Sequence, residues 1–330
     1  MSSMRPAAAV TIQDFTSEVN GTALAEDALD GLTRPFKELP PKYFYDSTGA
    51  LLFDQICDLP EYYPTRTEAA LLKEHAAGIV ARTGASELVE LGSGYATKTR
   101  ILLAEMDRAG SLLRYVPIDV NDAVIRGVAA ELTDDFPSLA VHGIIGDFER
   151  DLCRIPQAEG PRIVAFLGGT IGNFPPGARR RFLREISGLM RSQDRLLIGH
   201  DLVKDPAVIE AAYNDSAGIT AAFNRHILRV LNLELGANFE PDAFEHVAFF
   251  DPGHEWIEMR LRATREMDVH VAAIDLDVRF ADQEEIRTEI SAKFTRERLT
   301  ADLAAAGLEL DDLLTDRDEL YGLSLSSLAD

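Results

Sequence analysis

Between residues 86 and 203 short β-like runs alternate with helical patterns, and this alternation constrains the fold of the 330-residue chain more than any other feature. The stretch SELVELGSGYATKTRILLAEMDRAG, 86–110, reads as a strand through Leu88, Val89 and Leu91, a glycine loop, and a helix ending at Gly110. Strand 113–120, helix 121–132, strands 140–148 and 162–169, helix 176–190 and strand 194–203 continue the series. Such a series implies α/β architecture: a doubly wound parallel sheet with right-handed crossovers and helices on both faces. A further helix is expected to open at Thr65, where Thr65 and Glu68 fit a capping box, and to end at Gly84.

After Val203 the rhythm changes. Long helical periodicity over 207–235 precedes strand patterns at 246–250, 255–263 and 268–280, with Asp251, Pro252 and Gly253 as a turn, so this reads as an inserted α+β unit. A helix at 295–307 and β-like runs at 308–314 and 320–328 are expected to return to the edge of the first sheet. The length itself suggests two domains.

Charge narrows the partners. With 55 acidic against 33 basic residues the net charge is −22, which repels phosphate backbones and anionic membrane surfaces, so neither nucleic acid nor membrane is expected as a partner. No run of ~18 apolar residues exists to span a bilayer. The apolar stretch after Arg5 meets Gln13 and Asp14 too early for a secretory signal core. Cys57 and Cys153 form neither a metal motif nor a disulfide framework, which suits a cytoplasmic location, and both read as small core residues.

In an open parallel sheet ligands bind outside the carboxyl ends of the strands, near the switch in strand order. Glu90, Gly92, Ser93 and Gly94 fall where the first strand meets its helix, and glycines there let a ligand approach the backbone, though a plain tight turn would use them too. A dinucleotide fingerprint would need a third glycine at position 97, which is Thr97. Asp119 ends the second strand, where a carboxylate can accept from both ribose hydroxyls, and Asp147 and Phe148 end the third, where an acid and a ring can meet adenine. Each Asp alone could equally be a cap or loop residue. Together, with no cation in the loop before Lys98, they suit an adenosyl-sulfonium better than a phosphate, which points to S-adenosylmethionine.

Asn173 follows the fourth strand in GGTIGNF and offers a donor and an acceptor, or else a turn before Pro175 and Pro176. Tyr43, Phe44, Tyr45, Tyr62 and Tyr63 cluster upstream, as a core or as a cage for an ammonium. In IRTEISAKF, strict alternation puts Ile286, Thr288, Ile290 and Ala292 on one face and Glu289 and Ser291 on the other. An acid beside a hydroxyl can bind both nitrogens of an imidazole; a solvent-facing strand edge is the alternative. The chain has no Gly-x-Ser-x-Gly elbow, Walker loop or His-Glu-x-x-His, and its seven histidines are dispersed, so no metal is expected.

The joint occurrence of PPKYFYD, LPEYYPTRTE, VELGSG with KTR, FLGGTIGN, DLVKD, AGITAAFNR, DAFEHVA and TEISAKF resembles the histidine-specific N-alpha-methyltransferases of ergothioneine biosynthesis. The resemblance implies a class I (Rossmann-like) methyltransferase domain over 67–203, closed by 294–330, and a substrate-binding domain made of 1–66 and the insertion 204–293. It implies S-adenosylmethionine-dependent trimethylation of free L-histidine to hercynine. Gly92, Gly94, Lys98, Asp119, Asp147 and Phe148 would hold the cofactor. Tyr62, Asn173 and Tyr213 would hold the amino acid backbone, Glu289 and Ser291 would read the imidazole with Met259 beside it, and Tyr45 would lie near the amine; Tyr45 and Asn173 are the catalytic candidates. The chain departs from the family pattern at Tyr95 to Thr97 and at Gly169, where the family has serine. A monomer is expected. Another small amine or amino acid as substrate, a nicotinamide oxidoreductase and a non-catalytic amino-acid-binding module are the rival readings.

Overall fold

The structure, a computed structural model, describes residues 9–15 and 22–329. Residues 1–8, the start of the segment read as lacking a signal core, lie outside the described residues. The chain runs through β1 (Ala9–Asp14), α1 (Thr22–Thr33), β2 (Lys37–Glu38), α2 (Ser47–Cys57) and α3 (Pro64–Thr83). The alternating stretch follows as β3 (Glu87–Leu91), α4 (Thr99–Arg108), β4 (Arg114–Asp119), α5 (Asp122–Asp135), β5 (Ala140–Ile145), β6 (Arg162–Phe166), α6 (Pro176–Leu189) and β7 (Arg195–Asp201). Next come α7 (Pro206–Tyr213), α8 (Ile219–Leu235), β8 (Phe244–Asp251), β9 (Trp256–Ala263), β10 (Met267–Val271), β11 (Leu276–Phe280) and β12 (Glu285–Ala292). The last elements are α9 (Arg296–Ala304), β13 (Leu308–Thr315) and β14 (Tyr321–Leu328).

These elements fall into two units: one comprises the described residues of 1–18, 66–202 and 294–330, the other those of 19–65 and 203–293. The first unit is built on an eight-stranded sheet in the order β1-β5-β4-β3-β6-β7-β14-β13. Strands β1 and β3 to β7 pair in parallel; only the pairings made by β14 are antiparallel. Every residue of β3 is buried, as a central strand covered on both faces requires. Leu71, Leu72, Leu102, Leu103, Leu132 and Leu139 pack into one core with Leu88, Tyr115 and Leu323, each worth ~1.5 to 3 kcal/mol on burial. The chain steps outward from β3 through β4 to β5 and then returns to β6 on the other side of β3, so the switch in strand order lies between β3 and β6.

The second unit holds a four-stranded sheet, β2-β12-β9-β8, and the hairpin β10-β11. In it β12 is an interior strand, parallel to β2 and antiparallel to β9.

Five local expectations are corrected. Residues 9–14, assigned above to the substrate-binding domain, form β1 at the edge of the large sheet, where they pair with β5. Helix α3 starts at Pro64, the favoured first helical residue, and Glu68 does not close a capping box. The helical stretch 207–235 is broken: Asp215 accepts from the backbone N–H of Ile219 and Thr220 and starts α8 afresh, after Gly218 at φ 75°. The run 268–280 is a hairpin, because Ala272–Ile274 make a 3-10 turn and Asp275 takes a left-handed backbone with φ 47°. Cys153 is exposed and Cys57 half-buried, so the thiol at 153 is not a core residue.

Candidate functional site

In the first unit the strand ends at the switch point carry the residues singled out above. Gly92 and Gly94, at φ 67° and 48°, turn the chain from β3 toward α4. A Cβ on Gly92 would stand 3.3 Å from the Phe148 ring, so the bare backbone there leaves room beside an aromatic face. Asp119, the last residue of β4, accepts from the N–H of Gly94 at 2.9 Å and of Asn121 at 3.0 Å. Burial raises its carboxyl above the ordinary value, while those backbone donors pull it down. Both oxygens keep acceptor capacity, since a carboxylate has about four lone-pair sites.

Asp147 and Phe148 lie just past β5 rather than within it. Asp147 accepts from Glu149 N–H at 2.9 Å, and Phe148 is half-buried against Phe166 and Phe182, with ring centroids 5.4 and 5.8 Å away. After β6 the chain passes Gly168 and Gly169, both left-handed, into a 3-10 turn over Thr170–Asn173. A Cβ at Gly169 would come within 3.3 Å of the Tyr321 hydroxyl in a backbone region that side chains avoid, so serine could not simply replace glycine here.

Two buried acids lie under these loops: Glu90, already a candidate at the end of the first strand, and Glu68, which was not among the expected site residues. Glu90 accepts hydrogen bonds from Thr99 and Tyr115, and burial pushes its carboxyl up to about 7. It ties the start of α4 to β3 and β4. Glu68 is fully buried and ion-paired with Lys98, and it also accepts from the backbone of Gly168 and the hydroxyl of Tyr321. Lys98 is thereby fixed beside Gly168. Sequence reasoning spent Glu68 on a helix cap; nothing local signals that its partners come from α4, the loop after β6 and β14.

In the second unit Tyr45 follows the 3-10 turn Pro41–Phe44, and its ring meets Phe53 and Phe223 edge-on at 5.5 and 5.8 Å. Phe53 continues to Tyr62 at 6.1 Å, and Tyr62 to Tyr213 at 6.2 Å. Phe44 stacks on Phe223. Tyr43 and Tyr63 leave this cluster for Asp27 and Lys204. Burial first, then the charges of Glu289 and Tyr213, raises the Tyr45 phenol well above its ordinary value. The Tyr62 phenol is raised likewise, by burial and then Tyr213.

Strand β12 carries a bulge that strict alternation does not show. Ile286 pairs with Leu261 and Arg287 with Arg260, but Glu289 pairs with Met259, leaving Thr288 as the extra residue. The Thr288 hydroxyl donates to Asn224 Oδ1 at 2.6 Å, which anchors the bulge on α8. Directly paired residues share a face, so Glu289 and Ser291 join Met259, Ile257 and, contrary to the alternation reading, Ile286. All five are buried, and the solvent-facing alternative falls. Burial pushes the Glu289 carboxyl up to about 7, against the pull of Lys293.

A doubly wound sheet with a glycine loop at its switch point and carboxylates at the next two strand ends defines an adenosyl-binding α/β protein of the class I methyltransferase type. Residues 24–328 match the family described as histidine-specific, S-adenosylmethionine-dependent methyltransferases, and the chain belongs to that family. It is 50% identical over 304 residues to the histidine N-alpha-methyltransferase of Mycolicibacterium smegmatis, covering 92% of this chain and 94% of that one. It is 47% identical to the enzyme of the same name from Mycobacterium tuberculosis, covering 92% and 95%. The ergothioneine biosynthesis protein 1 of Neurospora crassa is 29% identical over 88% of this chain and 33% of its own length. S-adenosylmethionine is the methyl donor. No helix among the described residues is long and apolar enough to cross a membrane.

Proposed function

We propose that the protein trimethylates the α-amino group of free L-histidine to hercynine, the first step of ergothioneine biosynthesis. The observation that carries this reading is the buried pair Glu289 and Ser291 on one face of β12 beside Met259, an acid and a hydroxyl whose chemistry suits the two nitrogens of one imidazole. The match to histidine N-alpha-methyltransferases over nearly the whole chain supports it.

The first unit's residues fit an adenosyl group. Asp119 has acceptor capacity for the ribose hydroxyls, Gly92 and Gly94 leave the loop backbone approachable, Phe148 offers a ring, Asp147 an acceptor for the adenine amine, and Lys98 completes the set. When bound, S-adenosylmethionine supplies an electrophilic methyl on a cationic sulfonium, whose charge favours the neutral amine over the ammonium. Tyr62, Tyr213 and Asn173 hold the amino acid backbone of the substrate. Tyr45, whose phenol keeps its proton, orients the amine and is not its base. Positioning, rather than strong acid-base catalysis, is the enzyme's main contribution.

In this reading the enzyme works in the cytoplasm as a monomer, and a dimer in gel filtration would remove the latter expectation. The decisive assay incubates purified protein with S-adenosylmethionine and each free amino acid, read by mass spectrometry. Mono-, di- and trimethylated histidine are expected; methylation of a different amino acid in preference to histidine would overturn the assignment.

A further inference from the structure

Two residues beyond Ser291 and four beyond Glu289, at the end of β12, stands Lys293 with no exposed surface. A lysine so placed in a protein interior must have its ammonium matched by acceptors. Its Nζ donates to Ser291 Oγ at 3.0 Å and to the Tyr213 hydroxyl at 3.1 Å, and it lies 4.6 Å from the centroid of the Tyr213 ring. Its charge also acts on the Glu289 carboxyl, which burial alone would hold more strongly in the protonated form. One cation therefore touches two of the side chains proposed to read the amino acid and acts on a third through its charge.

An ammonium has three donors and no acceptor, so a hydroxyl it reaches has one lone pair filled and its own hydrogen turned away from the cation. That biases a choice which Ser291 would otherwise leave open. A serine hydroxyl not so held could turn to accept from a ring N–H or to donate to a bare ring nitrogen; with Lys293 filling one of its two lone pairs and repelling a second positive hydrogen, donation is the favoured role.

We propose that Lys293 is a positioning residue that tunes ring specificity: it biases Ser291 toward donating to the unprotonated ring nitrogen while Glu289 accepts the ring N–H, so that the pocket favours a ring carrying one donor and one acceptor. The proposal rests on the histidine reading above and assigns the hydrogen-bond polarity of that same site. A ring with a donor but no acceptor gives the Ser291 hydroxyl hydrogen nothing to donate to, and rejection comes from that buried, unused donor.

The test uses the two pyrrolylalanines, each of which keeps one ring N–H and has C–H in place of the other nitrogen. The ratio of kcat/KM for histidine to that of the better pyrrolylalanine is measured in the wild type, Ser291→Ala and Lys293→Met. Wild type is expected to favour histidine by about 10- to 100-fold. In Ser291→Ala, which has no donor, the ratio should fall to about 3 or below, and in Lys293→Met, whose Ser291 is free to turn away from the ring, it should fall by about threefold or more. A merely structural lysine would lower both substrates together and leave the ratio at its wild-type value, which would overturn the proposal. So would a wild-type ratio near one, a result that needs no variant. If Lys293→Met does not fold, Lys293→Leu, which likewise has no donor, is read by the same criterion. Absence of histidine methylation by wild type would instead refute the proposed function, so the two failures are distinct.

Discussion

Oε1 and Oε2 of Glu68, at the first turns of α3, lie 2.9 and 3.0 Å from the backbone nitrogen of Gly168, in the loop after β6. Tyr321 donates to the same carboxylate at 3.0 Å, and Lys98 supplies its counter-charge. A Cβ on Gly199 would strike Glu68 Oε1 at 1.7 Å, so β7 passes directly beneath it. Glu68→Ala strands two donors and a cation at once. Removing one partner of a buried pair costs about 3 to 5 kcal/mol, toward the lower figure here because Lys98 retains one-fifth of its side-chain exposure. Urea unfolding of the variant should show that loss, and a change below about 1 kcal/mol, the worth of an exposed pair, would refute the structural weight given to Glu68.

Asp119→Ala removes the carboxylate that closes β4. Hydrogen bonds to a charged acceptor contribute ~1.5 to 3 kcal/mol, so the S-adenosylmethionine Kd should rise roughly ten- to a hundredfold. Calorimetry on the free protein reads this directly. Unchanged affinity would remove Asp119 from the ribose.

Asn173→Ala should lower turnover with histidine by about 100-fold while the S-adenosylmethionine Kd changes less than about threefold, because the amide is assigned to substrate placement rather than to the donor. Steady-state kinetics beside calorimetry separate the two effects. Equal turnover in variant and wild type contradicts the role.

The Glu289 carboxyl gives a stability signature in the ligand-free protein. Its folded pKa of about 7 stands above the ordinary 4.5, so the fold favours the protonated form. That contribution is complete below pH ~4.5 and is lost as the pH rises through ~7, because in this window the native state binds more protons than the unfolded chain. Glu289→Gln cannot titrate. Between pH 4.5 and 7.5 the wild type should lose up to ~3 kcal/mol relative to the variant. Denaturant curves of both proteins across that range provide the check, and a difference independent of pH would show that the carboxyl is not held this way.

Much of the first unit was legible because its cause is local. The apolar runs around Val89, Val116 and Val164 are short, flanked by turns and separated by helical periodicity, so strand and helix types follow from spacing alone. Asp119 was placed at a strand end for the same reason. The misread segments are those in which one residue breaks a period: Gly218 and Asp215 between α7 and α8, and Asp275 inside 268–280. A left-handed residue or a cap interrupts a pattern without altering its average hydrophobicity.

By itself the sequence determined the βα alternation, the glycine loop after β3, and the supply of acids, hydroxyls and aromatics for a site, since these depend on periods of two and 3.6 residues along one stretch of chain. Which face Glu289 presents was decided only by the tertiary structure: a bulge at Thr288, fixed by Asn224 of α8, shifts the register against β9 and gives Glu289 the side of Met259. The partners of Glu68 and Lys293 were decided there too. Register and burial are set by residues tens to hundreds of positions away, and no local spacing encodes which distant donor will meet a buried charge.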